Sequence, residues 1–206
     1  MKLAFDIGAN IGDVTQKMLE RAERVIAFEP NPQLGEALKA RYPERVTVDT
    51  RALSDKEGTA LFWQSPTHTI STLSDSWRED SRFSQTHQWN QKLSVTTVTL
   101  DQVILEYGTP DMIKIDVEGH EEQVLLGLSQ LLPNCLISFE WAEEMRDSIE
   151  RTLIRLESLG YTHIDWTQGD ALRFPNEMLQ GKSRGQFIQE MAPLRKKEWG
   201  MCYCWH

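Results

Sequence analysis

No stretch of this 206-residue chain approaches the ~20 apolar residues that a bilayer-spanning helix needs. The N-terminal "MKLAFDIG" meets an acid at Asp6 before a signal-peptide core could form, so secretion is not expected. Cysteine is scarce, and three residues cannot build a paired disulfide framework, which points to a reducing, cytoplasmic setting. Cys202, Cys204 and His206 spell C-x-C-x-H at the very end. One short tail supplies at most three ligands with no loop to close a site, so a frayed tail is expected and no metal is assigned. Positive charge is also short, 22 Lys and Arg against 31 Asp and Glu, for a net charge of -9. That balance disfavours nucleic acid and anionic membranes as partners, because phosphates need clustered cations. The clearest basic run, Arg195-Lys196-Lys197, reads as a solvated face. Internal repeats and low-complexity segments are missing too, while 40% hydrophobic and 26% charged residues are ordinary for a globular protein. The length suits one domain over residues 1–206.

What is present is alternation. "LAFDI", "RVIAFEP", "RVTVDT", "MIKIDV" and "CLISFEW" are short, nearly continuous apolar runs that read as strands, separated by helical periods. Asn31 and Pro32 start one such helix, and residues 119–132 carry Val124, Leu125, Leu128, Leu131 and Leu132 on one face of another. This rhythm predicts a mostly parallel sheet covered on both faces. "GTALFWQ" and "SVTTVT" alternate like two further strands and bracket a polar insert, residues 65–93, too long for an ordinary connection. Beyond it a helix ends at Gly160, and "THIDW" and "GQFIQEM" read as late strands.

The stretch "FDIGANIGDVT" places a glycine-rich turn between the first strand and its helix, where doubly wound sheets bind ligands. Gly8 can take a positive φ and lets a ligand lie against the main chain, and Gly12 permits close helix packing. Asn10 stands where a dinucleotide loop has its second glycine; asparagine tolerates the left-handed region well and adds an amide. Asp13 falls where a pyrophosphate would settle, and Asp6 precedes the turn, so a cationic ligand fits better than a diphosphate. Glu29, at the end of the second strand, can take two ribose hydroxyls.

"FDIGANIGDVT", "VIAFEPNP", "ALSDKEG" and "DMIKIDVEGHEEQVLLGL", in that order and spacing, resemble the FkbM family of S-adenosylmethionine-dependent methyltransferases over about residues 3–141. The resemblance implies an α/β class I methyltransferase (Rossmann-like) fold, a doubly wound seven-stranded sheet whose last strand is antiparallel. It also implies S-adenosylmethionine as cofactor and methylation of a hydroxyl on a sugar or natural-product scaffold. Carried over by position, Asp6, Gly8, Ala9, Asn10 and Gly12 would line the methionine end and Glu29 the ribose. Pro30, Asn31 and Ala52 would lie towards the adenine, and Asp116 would close the site. Since the sequence starts at the first predicted strand, residues 65–93 are the expected lid over the substrate.

Strand alternation puts Met112, Lys114 and Asp116 on one face, with Asp116 at the strand's carboxyl end. Methyl transfer to a hydroxyl needs the acceptor oxygen near the methyl group and often a base for its proton. Asp116, Glu118 and His120 are the catalytic candidates, His120 because its ordinary pKa lies nearest neutrality. Glu118 and Glu121 also suit a helix N-terminus with nothing bound. His68, Ser71, Thr72, Glu140 and Trp141 are the candidate substrate contacts, and Trp77 or Trp89 could stack on a sugar. The expected partner is a small-molecule hydroxyl acceptor. Alternatives are a nitrogen or carboxylate acceptor on a peptide or lipid, an NAD-dependent oxidoreductase, or a nucleotide-binding module without catalysis.

Overall fold

The computed structural model describes residues 1–177, 180–195 and 197–206; Lys196 of the basic run lies outside them. The chain opens with β1 (Leu3–Ile7), α1 (Asp13–Leu19), β2 (Arg24–Phe28), α2 (Pro32–Arg41), β3 (Val46–Asp49) and the short β4 (Ala52–Leu53). Then come β5 (Gly58–Gln64), a 3₁₀ turn at His68–Ile70, α3 (Asp75–Asp80), β6 (Gln91–Val98) and α4 (Leu100–Tyr107). The remainder is β7 (Met112–Ile115), α5 (Glu121–Leu126), β8 (Leu136–Ala142), α6 (Arg146–Leu159), β9 (His163–Gln168), α7 (Arg184–Met191) and β10 (Trp199–Trp205).

Seven strands form one sheet in the order β3-β2-β1-β7-β8-β10-β9. The β1–β2, β2–β3, β1–β7 and β7–β8 pairs are parallel, and β10 runs antiparallel to both neighbours. This is the doubly wound arrangement with a reversed last strand that the resemblance implied. One face of the sheet, with Phe5, Ile26, Ile113, Ile137 and Cys204, packs under α4, α5, α6 and α7 through Val103, Val124, Leu153 and Phe187. The other, with Ala4, Val25, Met112 and Tyr203, packs on Met18 of α1 and Leu38 of α2. Near-continuous apolar strands are the expected outcome of such two-sided cover. A second sheet, β4-β6-β5, holds the two alternating strands that bracket the insert, paired antiparallel from Gly58↔Thr97 to Gln64↔Gln91.

Two expectations fail at the C-terminal end. "GQFIQEM" is helix α7, started by a capping box in which Ser183 and Gln186 satisfy each other's backbone N–H groups. The apolar content alone suggested a strand; the S-x-x-Q start was the better signal. The Cys202/Cys204 tail is not frayed but is the inner strand β10, with both thiols fully buried in the core. His206 follows as an exposed residue after the strand. Helix α5 is also shorter than the 119–132 period, although Val124, Leu125, Leu128 and Leu132 are buried together.

Candidate active site

The carboxyl ends of β2, β1, β7 and β8 form an edge on which polar groups gather. Glu29, Gly8 and Asp116 directly follow Phe28, Ile7 and Ile115, the last paired residues of the first three strands. Glu140 lies on β8 opposite Met201 of β10. Above this edge is a cavity of about 500 Å³. Of the cofactor candidates, Gly8, Ala9, Asn10, Glu29, Pro30, Asn31, Ala52 and Asp116 line it. So do Glu118 among the catalytic candidates and His68, Ser71 and Glu140 among the substrate contacts.

The loop geometry explains its sequence. Gly8 has φ 77° and Asn10 φ 51°, so asparagine occupies the left-handed region as its chemistry allows. A Cβ built on Gly8 would lie 1.9 Å from the Asp116 carbonyl oxygen, so this glycine is needed for strand-to-strand approach as much as for any ligand. On Gly12, at φ 90°, a Cβ would lie 2.7 Å from Leu38, so α2 is what crowds it, and Gly12 does not line the cavity. The two Glu29 oxygens accept from the Asn10 and Asn31 N–H groups, each at 2.8 Å. Burial pushes the Glu29 carboxyl up to about 7 against those two bonds. Each oxygen keeps a further lone pair for a hydroxyl donor. The Asn31 side chain caps α2.

Asp6 departs from its expected place. It is fully buried below the loop, with Oδ2 accepting from Thr15 Oγ1 at 2.5 Å and Oδ1 3.6 Å from Lys114 Nζ. The Lys114 ammonium also stands 3.3 Å from Asp116 Oδ2. Burial opposes its charge, but Asp116 and Asp6 outweigh that and hold its pKa above the usual lysine range. The acids facing the cavity beside the loop are Asp13 and Asp116.

At the far end, Asp116, Glu118 and Glu140 each bring a carboxylate oxygen within 4.8 Å of the others. Burial, then the neighbouring carboxylates, push Glu118 and Glu140 well above the ordinary carboxyl range. Glu118 Oε2 is buried and has no hydrogen-bond partner among the described residues. Arg82, from the segment between β5 and β6, stands 3.5 Å from Glu140 and 3.2 Å from Glu144, with its guanidinium near the Trp77, Phe83 and Trp199 rings. Three close carboxylates are a spacing that a divalent cation can use. Lys114 and Arg82 already stand beside two of them, so no metal is assigned.

Three further candidates point elsewhere. His120 does not line the cavity; its Nε2 is 3.1 Å from Ser54 Oγ, and burial pulls its pKa down to about 4. Thr72 is fully buried, its hydroxyl donating to the Glu118 carbonyl at 2.6 Å. Trp141 is buried under Trp166, its Nε1 donating to the Thr167 carbonyl at 3.2 Å. Trp77 is buried against Gly119, and Trp89 donates to the Ile70 carbonyl, so both tryptophans hold the insert in place rather than line the cavity. Sequence reasoning missed Arg82, Trp199 and Met201, which all line it. Alternation along "WGMCYCW" would have put Trp199 and Met201 on one face; nothing in the sequence singled out Arg82.

The family description "Methyltransferase FkbM domain" matches residues 6–163. The chain belongs to the FkbM methyltransferase family. This FkbM-family chain is 30% identical over 138 residues to the hexuronic acid methyltransferase AglP of Haloferax volcanii, covering 62% of its own length and 50% of that protein. It also superposes on the crystal structure of a methyltransferase FkbM from Methylobacillus flagellatus KT. There the TM-score is 0.56 at 16% identity, with 99% of this chain and 43% of that chain covered. The FkbM-family chain thus spans about half the length, or less, of the two relatives.

The carboxylate of Glu29 gives a direct prediction. Glu29→Ala is expected to weaken S-adenosylhomocysteine binding more than tenfold by calorimetry. With the carboxyl at about 7, unaltered protein should lose affinity as pH falls below that value, because the protonated acid accepts fewer hydroxyl bonds. An unchanged affinity in the variant, or a flat pH profile, would contradict a ribose contact at Glu29.

Proposed function

We propose that this chain is an S-adenosylmethionine-dependent O-methyltransferase acting on a hydroxyl of a saccharide or saccharide-like small molecule. The residues fit the cofactor. Glu29 offers carboxylate oxygens for a ribose, Asn10 holds a buried amide oxygen without a partner among the described residues, and Asp13 and Asp116 face the cavity where a diphosphate would be repelled. Pro30, Asn31, Leu34, Ala52 and Leu53 would flank the adenine, and Gly8, Ala9, Asn10 and Asp116 the amino-acid end. When bound, S-adenosylmethionine supplies an electrophilic methyl group on a cationic sulfur.

The observation that carries the acceptor assignment is the trio Asp116, Glu118 and Glu140 at the cavity's far end. Closely spaced carboxylates accept hydrogen bonds from neighbouring hydroxyls, the donor pattern of a sugar. Glu118 is assigned as proton acceptor, because its Oε2 has no partner among the described residues and its raised pKa makes it a stronger base than an ordinary carboxylate. Asp116, beside Lys114, orients the hydroxyl, and Glu140 with Arg82 frames it. His120, held near pKa 4 outside the cavity, has no part in this reading. The hexuronic acid named for the Haloferax volcanii relative agrees with a saccharide acceptor. The test is S-adenosylhomocysteine release against neutral glycosides, uronic acids, nucleosides and hydroxylated metabolites. Turnover concentrated among the saccharides supports the reading, and turnover confined to amines or peptides replaces it.

A further inference from the structure

We propose that Thr72 is a positioning residue that ties acceptor contact in the insert to the placement of Glu118; this rests on Glu118 serving as the proton acceptor. The insert touches both partners of the reaction along one short run of chain. His68, Thr69, Ile70 and Ser71 line the cavity, and the next residue, Thr72, turns inward. Its hydroxyl donates to the Glu118 carbonyl at 2.6 Å and accepts from the Ser74 N–H at 2.8 Å, so both functions of the hydroxyl are used. The Thr72 backbone is fixed independently, exchanging two bonds with Trp63 at 2.8 and 3.0 Å.

The turn that Thr72 holds needs holding. Glu118 has φ 57° and Gly119 φ 85°, two successive left-handed residues, and glutamate is not suited to that region. A Cβ on Gly119 would lie 2.9 Å from Trp77 Cβ, so the helix α3 packs directly on this turn. From below, Glu121 Oε1 accepts from the Val117 and Gly119 N–H groups at 2.9 and 3.3 Å. Thr72 and Trp77 therefore clamp, from the insert side, a strained backbone that aims the Glu118 carboxyl. Movement of residues 68–71 by a bound acceptor is transmitted to that carboxyl one residue later.

The groups facing Glu118 are Asp116 and Glu121 on its own segment, Glu140 from β8 and Arg82 from the insert. Loosening the turn lets water reach Glu118 among these charges, which lowers its pKa towards that of an ordinary carboxyl. The experiment compares Thr72→Val, which keeps the shape but loses the hydroxyl, with Thr72→Ser, which keeps the hydroxyl. The readout is S-adenosylhomocysteine release with the best acceptor of the saccharide panel, across pH, with S-adenosylhomocysteine affinity measured by calorimetry. Thr72→Val is expected to lower kcat about tenfold, leave KM and S-adenosylhomocysteine affinity within twofold, and move the acidic limb of kcat to lower pH; Thr72→Ser should restore both. Equal kcat and equal pH limbs in all three proteins would overturn the proposal, as would a loss that Thr72→Ser fails to repair. If Thr72→Val does not fold, Thr72→Ser with normal kcat against Thr72→Ala with the shifted limb decides the same point. Glu118→Gln separates the layers: unchanged turnover there removes the proton-acceptor reading, and this inference with it. A large loss there beside an inert Thr72→Val removes the inference alone.

Discussion

Gly8→Ala is expected to destroy cofactor binding and to destabilise the fold on the order of 3–5 kcal/mol. Two independent penalties add. The backbone at φ 77° lies where a residue with a Cβ is strained, and the new methyl would sit 1.9 Å from the Asp116 carbonyl oxygen. That oxygen belongs to the backbone at the end of an interior strand and cannot swing aside as a side-chain tip would. Relief requires β1 and β7 to separate where Glu29, Gly8 and Asp116 stand side by side, and the ribose and methionine contacts proposed for this edge would go with it. Urea unfolding measures the first part and calorimetry with S-adenosylhomocysteine the second. Gly185→Ala is the control: among the described residues nothing lies within 4 Å of its added Cβ, and it sits in α7, so it should be neutral or mildly stabilising. Equal stability for the two variants would mean that the Gly8 turn is more yielding than its geometry requires.

Glu118→Gln should lower kcat by about two to three orders of magnitude while leaving S-adenosylhomocysteine affinity nearly unchanged. The amide is close in shape but cannot take the proton that the proposed acceptor hydroxyl must lose. Because burial and the adjoining Glu140, Asp116 and Glu121 raise the Glu118 pKa, the acidic limb of kcat in unaltered protein should stand well above an ordinary carboxyl value. A base must be deprotonated to act, so activity rises with pH through that limb, and the limb should be missing in Glu118→Gln. His120→Asn makes the contrast. Its ring is bonded to Ser54 outside the cavity, so any effect should appear in stability and not in the pH profile.

The legible parts of this molecule were those written in local backbone chemistry. The left-handed Asn10 and the Glu29 position follow from two strand-to-helix turns, β1 to α1 and β2 to α2, and both stand where the sequence placed them. The sheet was legible because parallel strands buried on both faces leave apolar runs that few other structures produce. What escaped depends on contacts distant in sequence. Asp6 looked like an acid beside the ligand, yet Lys114 of a neighbouring strand and Thr15 take it up underneath. Thr72 and Trp77 looked like substrate contacts because they lie in a polar insert, but they pack against Glu118 and Gly119, some 40 residues on. Strand β10 looked like a tail because position at the end of a chain says nothing about position in a sheet. Inserted between β8 and β9, it brings Met201 opposite Glu140 and Trp199 beside Arg82.

Calorimetric titration with S-adenosylhomocysteine and, separately, with NADH bears most directly on the central claim that this cavity takes a sulfur-linked nucleoside and refuses a diphosphate. Micromolar binding of S-adenosylhomocysteine, lost in Glu29→Ala, with no heat from NADH is the expected result. Binding of NADH with none of S-adenosylhomocysteine would contradict it.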